Sequence, residues 1–300
     1  MKGITRASVD QNVESMSSEV STNQSDAVLR AWRESAVYWK KHSGTIHAMF
    51  SPVTQALIEE AEIVAGQSVL DVAGGVGEPS LTIAEMVGPT GSVTCTDAVA
   101  EMVVTAQTEG QRRGLRNVLF RQCSAGSLPF ESESFDTTVS RLGAMFFPDP
   151  VAALREMLRV TKSGGAISLV VWGKSELNPF FYLITNVVGR YCDVEPTDPN
   201  APGAFRFAQP GALAGLLKEA GATDVKEREL KFDIAAPISL AQFWEVRSET
   251  SEMLREKLAT LSPPQAELLA REAQDAVREF FSNNQMSIPA QMIIVAARKP

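Results

Sequence analysis

Short apolar runs alternate with amphipathic segments between residues 64 and 173. The apolar runs, which predict strands, are 68–72, 92–96, 118–121, 135–140 and 166–172. The amphipathic segments, which predict helices, are 79–87, 100–113 and 150–160. Apolar strands that alternate with helices are typical of a parallel sheet covered on both faces. Because crossovers between parallel strands are right-handed, the pattern predicts a doubly wound α/β sheet.

The chain before this alternation divides into two parts. Residues 1–25 are polar and rich in serine, which predicts a disordered leader because such a segment buries too little apolar surface to offset its chain entropy. Residues 26–63 predict two N-terminal cover helices, the second with Ser51 as its N-cap and Pro52 as its first residue. Four apolar residues fall on one face of the first cover helix: Leu29, Trp32, Ala36 and Trp39.

Residues 174–300 are predicted to supply the remainder of the sheet. An irregular excursion at 174–207, which contains several prolines, is expected to cap the substrate site. A helical insertion at 239–282 is expected to hold two helices, each opened by a capping box. The other elements predicted here are a helix at 210–220 stopped by Gly221, an exposed strand at 225–232 and a final apolar strand at 292–297.

Composition and charge narrow the possible functions. The net charge of −8 and the absence of a basic stripe argue against a nucleic-acid partner. Three widely spaced cysteines and two histidines predict neither a disulfide framework nor a metal site. No apolar run approaches the roughly 20 residues that a membrane span requires. We therefore expect a cytoplasmic protein, monomeric or homodimeric, that acts on a small molecule.

A glycine-rich turn follows the first predicted strand of the core. The sequence Asp71-Val72-Ala73-Gly74-Gly75-Val76-Gly77 leads through Glu78 to Pro79, which opens a helix. Missing side chains let the backbone approach a ligand, and the helix start offers free N–H groups. Ligands of open α/β sheets bind beyond the carboxyl ends of the strands, where this turn lies. The turn therefore predicts a cofactor site.

Dinucleotide enzymes use a similar turn, so further details decide between the cofactors. The dinucleotide pattern needs a small residue three positions after Gly77, and Ser80 preceded by Pro79 is a poor match. Asp71 precedes the glycines, where its carboxylate would repel a pyrophosphate and attract the ammonium group of an amino-acid tail. Asp97 ends the second strand and is placed to accept hydrogen bonds from ribose hydroxyls, which suits both cofactors. Together these residues favour a methyl donor with an amino-acid tail.

The motifs along residues 64–172 resemble class I S-adenosylmethionine-dependent methyltransferases, and in particular the ubiquinone/menaquinone-biosynthesis C-methyltransferases. The matching segments are 69–78, 96–97 with Met102, 128–130, 134–136, 153–160 and 162–165. The fold prediction is therefore a doubly wound, mostly parallel, seven-stranded Rossmann-like sheet. Its last strand is antiparallel, and N-terminal cover helices and a C-terminal helical insertion flank it.

The resemblance also implies roles for individual residues. Asp71 would face the methionine amino group, and the backbone of Ala73, Gly74, Gly75 and Gly77 would line the methionine tail and ribose. Asp97 would bind the ribose hydroxyls. The other implied contacts are Ala98 and Met102 against the adenine, Ser124 and Ala125 at its edge, and Arg141 near the methionine carboxylate.

The chain departs from the family in three places. Ser124 replaces an aspartate that commonly accepts the adenine amino group, so weaker anchoring is expected. Ser163 replaces a proline in a turn, which carries little functional meaning. The C-terminal third does not follow the quinone enzymes closely, and this puts a quinone substrate in doubt.

The sequence says less about the residues that would bind the methyl acceptor. His42, His47 and Arg141 are weak candidates for a catalytic role, and a surface or packing role is the simpler interpretation of both histidines. Trp39, Phe146, Trp172 and Asn178 are candidates for the substrate pocket, although packing explains an apolar residue equally well. Because these candidate pocket residues are mainly apolar or aromatic, we expect a hydrophobic or aromatic acceptor, methylated on carbon or oxygen.

Two other functions stay open at this point. A nicotinamide-dependent oxidoreductase uses a similar sheet, and a catalytically silent protein could keep the cofactor pocket. Methylation of nucleic acid or protein is disfavoured by the acidic charge and by the lack of an Asn-Pro-Pro-Tyr-type motif.

Overall fold

The computed structural model describes residues 26–193 and 198–300, so the predicted leader at 1–25 lies outside the described residues. The strands are β1 Ser68–Val72, β2 Ser92–Asp97, β3 Val118–Gln122, β4 Phe135–Arg141, β5 Thr161–Trp172, β6 Thr223–Ala236, β7 Phe281–Ser282 and β8 Gln285–Arg298. The helices are α1 at 26–41, α2 Ser43–Glu60, α3 Ser80–Val87, α4 Ala100–Arg112, α5 Pro150–Val160, α6 Pro179–Val188, α7 Ala212–Ala220, α8 Leu240–Thr250, α9 Glu252–Ala259 and α10 Pro263–Val277.

One sheet organises the fold, with the strand order β3-β2-β1-β4-β5-β8-β6. Strands β1 to β5 are parallel, whereas β8 runs antiparallel to both β5 and β6. The short β7 forms a hairpin with β8. The predicted doubly wound, mostly parallel sheet is confirmed, including its antiparallel last strand. The strand order reverses between β1 and β4, which places a ligand crevice at their carboxyl ends.

The central strands are apolar because helices cover both faces of the sheet. Leu70 in β1, Val139 in β4 and Leu169 in β5 are fully buried. Each fully buried aliphatic side chain contributes about 1.5–3 kcal/mol to stability. These strands therefore hold the sheet together and fix the positions of its ends. No described helix is long and apolar enough to cross a bilayer.

Helix α2 begins earlier than the sequence indicates. Pro52 lies inside this helix, so the prediction that Ser51 and Pro52 open it is wrong. An interior proline costs about 3 kcal/mol, because it removes one backbone hydrogen bond and its ring clashes with the carbonyl four residues earlier. Buried side chains on both sides of it, including Phe50 and Leu57, outweigh that cost because each contributes about 1.5–3 kcal/mol.

Three other boundaries depart from the sequence-based prediction. The excursion at 174–207 contains a regular helix, α6, with Pro179 in its first turn and a buried apolar face. The insertion at 239–282 holds three helices, because the Ser251 side chain caps a new helix by accepting from the Leu254 N–H. Strand β5 begins at Thr161, since it continues through the predicted glycine turn as it pairs with β4. Both predicted capping boxes are present.

Candidate active site

The glycine turn joins β1 to α3 in a conformation that needs its small residues. Ala73, Gly75 and Gly77 all have positive φ angles, of 61°, 56° and 117°. A Cβ atom on Gly74 would lie 2.7 Å from both Oδ2 of Asp71 and Sγ of Cys95, too close for either atom. The N–H of Gly74 donates to the Thr96 carbonyl at 2.8 Å and so fixes the turn to the end of β2.

Asp97 holds this turn from the neighbouring strand. One carboxylate oxygen accepts from the Gly75 N–H at 2.9 Å, and the other accepts from the Val99 N–H at 2.9 Å. Burial raises the pKa of Asp97, and the backbone hydrogen bonds oppose that rise. Each oxygen keeps a further lone pair. The side chain is partly exposed and lines the cavity described below.

Asp71 lies beneath the turn and is fully buried. The Ser80 hydroxyl donates to its Oδ2 at 2.6 Å, whereas Oδ1 has no hydrogen-bond partner among the described residues. Burial raises the pKa of Asp71 to about 7, although the Ser80 hydrogen bond and the charge of Arg141 oppose the rise. Asp71 does not line the cavity, so its contact with the cofactor stays a prediction.

A cavity of about 450 Å³ opens above the turn, at the carboxyl ends of β1, β2 and β4. Nine of the residues predicted to bind the cofactor line it: Ala73, Gly74, Gly75, Asp97, Ala98, Met102, Ser124, Ala125 and Arg141. Gly77 does not, because it faces α3, where a Cβ atom would lie 2.8 Å from Leu81. Its smallness serves the packing between the turn and this helix.

A further part of the cavity wall is aromatic and aliphatic. Trp32 and Trp39 of α1 contact each other edge-on at 5.5 Å between ring centroids, and Trp32 contacts Phe146 at 5.1 Å. Sequence reasoning named Trp39 and Phe146 and missed other members of this wall. The missed members include Val28, Leu29, Trp32, Ile46, Phe50, Leu142 and Pro148. The shared helical face of α1 was the available signal, but it did not indicate a cavity.

Trp172 and Asn178 lie outside the cavity, contrary to their predicted place in the substrate pocket. The Trp172 ring stacks on Phe180 at 6.3 Å. The Asn178 amide donates to the Gln291 carbonyl at 3.1 Å and accepts from the Gln291 N–H at 3.0 Å. Asn178 therefore fastens the start of α6 to β8, and Trp172 packs the end of β5 against α6.

Arg141 lines the cavity and carries a positive charge. Its guanidinium donates to the Thr54 hydroxyl at 2.7 Å and to the Glu78 carbonyl at 3.2 Å. Burial lowers the pKa of Arg141, while Glu78 and Asp71 oppose that change. Its Nε has no hydrogen-bond partner among the described residues.

The two histidines lie in different surroundings. His47 lines the cavity, with Nδ1 3.0 Å from Oε1 of Glu78. His42 does not line it and contacts Glu249 through Nε2 at 2.6 Å. Together with Glu245, His42 and Glu249 form a group of metal-ligand type that the sequence did not suggest. The Lys41 ammonium bonds both carboxylates, at 2.7 and 2.8 Å, and thus supplies the positive charge they need.

This sheet, with its glycine turn and an acid at the end of β2, has the arrangement of class I S-adenosylmethionine-dependent methyltransferases. Residues 43–239 match the ubiE/COQ5 methyltransferase family, and the chain belongs to that family.

Individual relatives match over shorter stretches. The chain is 37% identical over 124 residues to an uncharacterized protein, Rv1405c, of Mycobacterium tuberculosis, covering 41% of this chain and 44% of that protein. It is 36% identical over 124 residues to the ubiquinone/menaquinone biosynthesis C-methyltransferase UbiE of Bdellovibrio bacteriovorus, covering 41% of this chain and 52% of that protein. The chain thus spans about half the length of these curated relatives. A nocamycin O-methyltransferase of Saccharothrix syringae is 29% identical over 63% of this chain and 70% of its own.

Solved structures share the fold at low identity. Haemonchus contortus phosphoethanolamine N-methyltransferase 2, in complex with S-adenosyl-L-methionine, has a TM-score of 0.53 at 16% identity and covers 87% of this chain and 57% of that one. The [4+2]-cyclase SpnF has a TM-score of 0.51 at 23% identity, covering 83% and 80%. These likenesses describe the fold, and the reaction has to be argued from the site.

Proposed function

We propose that this protein is an S-adenosylmethionine-dependent methyltransferase whose acceptor is a small, mainly apolar molecule. The observation that carries the proposal is the mixed lining of one cavity. The glycine turn and Asp97 line it together with the aromatic side chains Trp32, Trp39 and Phe146. A few polar cofactor contacts combined with an apolar lining suit a donor and a hydrophobic acceptor held in one space.

The residues present fit the cofactor. A Cβ atom on Gly75 would meet nothing within 4 Å, so the turn leaves open space there, and Asp97 lines the cavity with a lone pair remaining on each oxygen. In the proposal, Asp97 accepts from the ribose hydroxyls and Arg141 bonds the methionine carboxylate. The adenine lies among Ala98, Met102 and Ser124. S-adenosylmethionine supplies, when bound, a methyl group already activated on a sulfonium centre.

The protein's own contribution is therefore chiefly to position the acceptor and exclude water. Helix α1 covers the cofactor side of the cavity through a small apolar cluster, in which Ala36 packs with Val76, Val99 and Met102. We infer that these contacts keep water from the reacting atoms while the aromatic wall orients the acceptor. The acceptor atom is carbon or oxygen.

A product screen tests this function. The full-length protein is incubated with isotopically methyl-labelled S-adenosylmethionine and a panel of aromatic, prenylated and lipid-like acceptors beside charged polar ones, and products are identified by mass spectrometry. The expected result is label transfer to apolar acceptors. Transfer confined to highly charged acceptors would contradict the apolar acceptor, and cofactor binding without transfer to any class would indicate a catalytically silent protein.

A further inference from the structure

We propose that His47 is the general base of this site and that the acceptor is a hydroxyl group on an apolar or aromatic molecule. This inference rests on the proposed methyltransferase function. It starts from the one described histidine that lines the cavity, whose side chain is 38% exposed.

Glu78 is the acid next to His47. Nδ1 of His47 lies 3.0 Å from Oε1 of Glu78; both atoms are buried, and neither makes a hydrogen bond of good geometry among the described residues. An ionised carboxylate only accepts hydrogen bonds, so in our proposal Nδ1 carries the proton and a small rotation of either side chain completes the bond. In the neutral ring the lone pair then lies on Nε2. Nδ1 is buried while the side chain as a whole is 38% exposed, so in our proposal Nε2 is the nitrogen that meets the acceptor.

Glu78 is itself held from three directions. The Thr82 hydroxyl donates to its Oε2 at 2.7 Å, and the Arg113 guanidinium lies 2.8 Å from its Oε1. Arg141 donates to its backbone carbonyl. The Glu78 side chain is only 7% exposed, so its orientation is fixed by these contacts. Because Arg113 already supplies a positive charge, Glu78 needs no imidazolium to be neutralised.

The remaining charges near the pair lie behind Arg113. Glu109 is 2.9 Å from its Nε, and Glu85 is 3.8 Å from one terminal nitrogen. No described acid apart from Glu78 is within salt-bridge distance of His47. The imidazole therefore faces a cavity whose lining is largely apolar, apart from Arg141, Asp97 and Glu78.

In the proposed reaction, His47 removes the proton of the acceptor hydroxyl while the oxygen takes up the methyl group. The acceptor O–H bond breaks and its proton goes to Nε2 of His47, while Glu78 stabilises the imidazolium that forms. The oxygen's electron pair forms the bond to the methyl carbon, and the carbon–sulfur bond breaks with its electron pair staying on sulfur. His47 is a catalytic residue in this proposal, and Glu78 is a positioning residue. A carbon acceptor that attacks without prior loss of a proton would leave this pair without use.

Nuclear magnetic resonance tests the pair without any acceptor. The chain has two histidines, so ¹⁵N-histidine labelling of the full-length protein gives two rings, and His42→Gln assigns them. We expect neutral His47 with its proton on Nδ1, and movement of the proton toward Nε2 in Glu78→Gln. A neutral His47 protonated on Nε2 in the wild type, or a tautomer that ignores Glu78→Gln, would overturn the proposal.

A second arm measures turnover with 2-naphthol as the hydroxyl probe. His47→Asn keeps an N–H donor near Glu78 but lacks the basic nitrogen. It should lower kcat/KM by roughly 10²–10⁴-fold and abolish the fall in rate toward low pH. S-adenosylhomocysteine affinity should be unchanged. A wild-type rate in His47→Asn, or methyl transfer only to acceptors without an ionisable proton, would overturn the base. If the wild type does not bind S-adenosylhomocysteine, the proposed function itself is refuted.

Discussion

The hydroxyl of Ser80 donates a 2.6 Å hydrogen bond to Oδ2 of Asp71, and both side chains are completely buried. This bond crosses the base of the glycine turn, from the end of β1 to the first residue of α3. A buried carboxyl with one satisfied oxygen is costly in its charged form. The cofactor turn is therefore built over a group whose charge state is sensitive to pH.

Replacing Asp71 by Asn should remove a pH dependence of stability. Burial raises the pKa of folded Asp71 to about 7 from the ordinary aspartate value of about 4, so the folded state binds more protons between these values. The stabilisation is complete below about pH 4 and is lost as the pH rises through about 7, with a total of at most about 4 kcal/mol.

Urea unfolding of the cofactor-free protein between pH 4 and 8 measures this effect. The difference in unfolding free energy between wild type and Asp71→Asn isolates the contribution of this carboxyl from that of other groups. Relative to the variant, the wild type should lose stability across the range. Parallel pH curves would contradict a raised pKa for Asp71.

Asp97→Asn should weaken the binding of S-adenosylhomocysteine by about 1.5–3 kcal/mol, the usual cost of losing hydrogen bonds to a charged group. The amide also sets an N–H₂ group against a backbone N–H, of Gly75 or Val99, that Asp97 now accepts from. Calorimetric titration measures the affinity. Asp275→Asn, at an exposed carboxylate on α10, is the matched control. An affinity equal to that of the wild type would refute the ribose assignment.

Gly74→Ala should abolish cofactor binding while a similar change elsewhere does not. The added methyl group meets Asp71 and Cys95 at 2.7 Å and forces the turn to move. Gly215→Ala, in α7, meets nothing within 4 Å and should stabilise the helix by about 0.5–1 kcal/mol. Titration with S-adenosylhomocysteine and thermal melting compare the two variants. Normal binding by Gly74→Ala would mean that the turn does not hold the cofactor.

Arg247→Met should preserve or raise stability, whereas Arg247→Ala should lower it by about 2–4 kcal/mol through the cavity it leaves. Arg247 is buried between Phe180 and Phe181, with its guanidinium 4.4 and 4.9 Å from their ring centroids. Burial lowers its pKa to about 10 from 12.5, a cost of about 3 kcal/mol, which exceeds the roughly 2 kcal/mol of a desolvated cation–π contact.

Urea unfolding at neutral pH compares these two variants. Methionine fills the volume of the arginine stem without its charge, so a separation between the variants measures packing alone. Equal destabilisation by methionine and alanine would show that the charge of Arg247 is needed.

The sequence predicted the parallel core well because its strands are continuous apolar runs, as Leu70 and Leu169 illustrate, and because the glycine turn has a local signature. It failed where distant packing decides. The interior position of Pro52 depends on buried contacts made by all of α2. The place of Asn178 depends on the backbone of Gln291, which is far away in the chain.

The candidate site divides in the same way. The places of Asp97 and Gly74 in the site could be predicted, because they follow from the order of strand, turn and strand along the chain. The contact between His47 and Glu78 joins a cover helix to the cofactor turn, and no local sequence pattern predicts it. The aromatic wall was predicted in part. The sequence shows that Trp32 and Trp39 share a helical face, but only the fold shows that this face lines the cavity.

Calorimetric titration of the full-length protein with S-adenosylhomocysteine and, separately, with NADH tests the central claim most directly. Our account predicts saturable one-to-one binding of S-adenosylhomocysteine that Asp97→Asn weakens, and no binding of NADH. Binding of NADH in its place, or no binding of S-adenosylhomocysteine, would contradict the assignment of this cavity to the methyl donor.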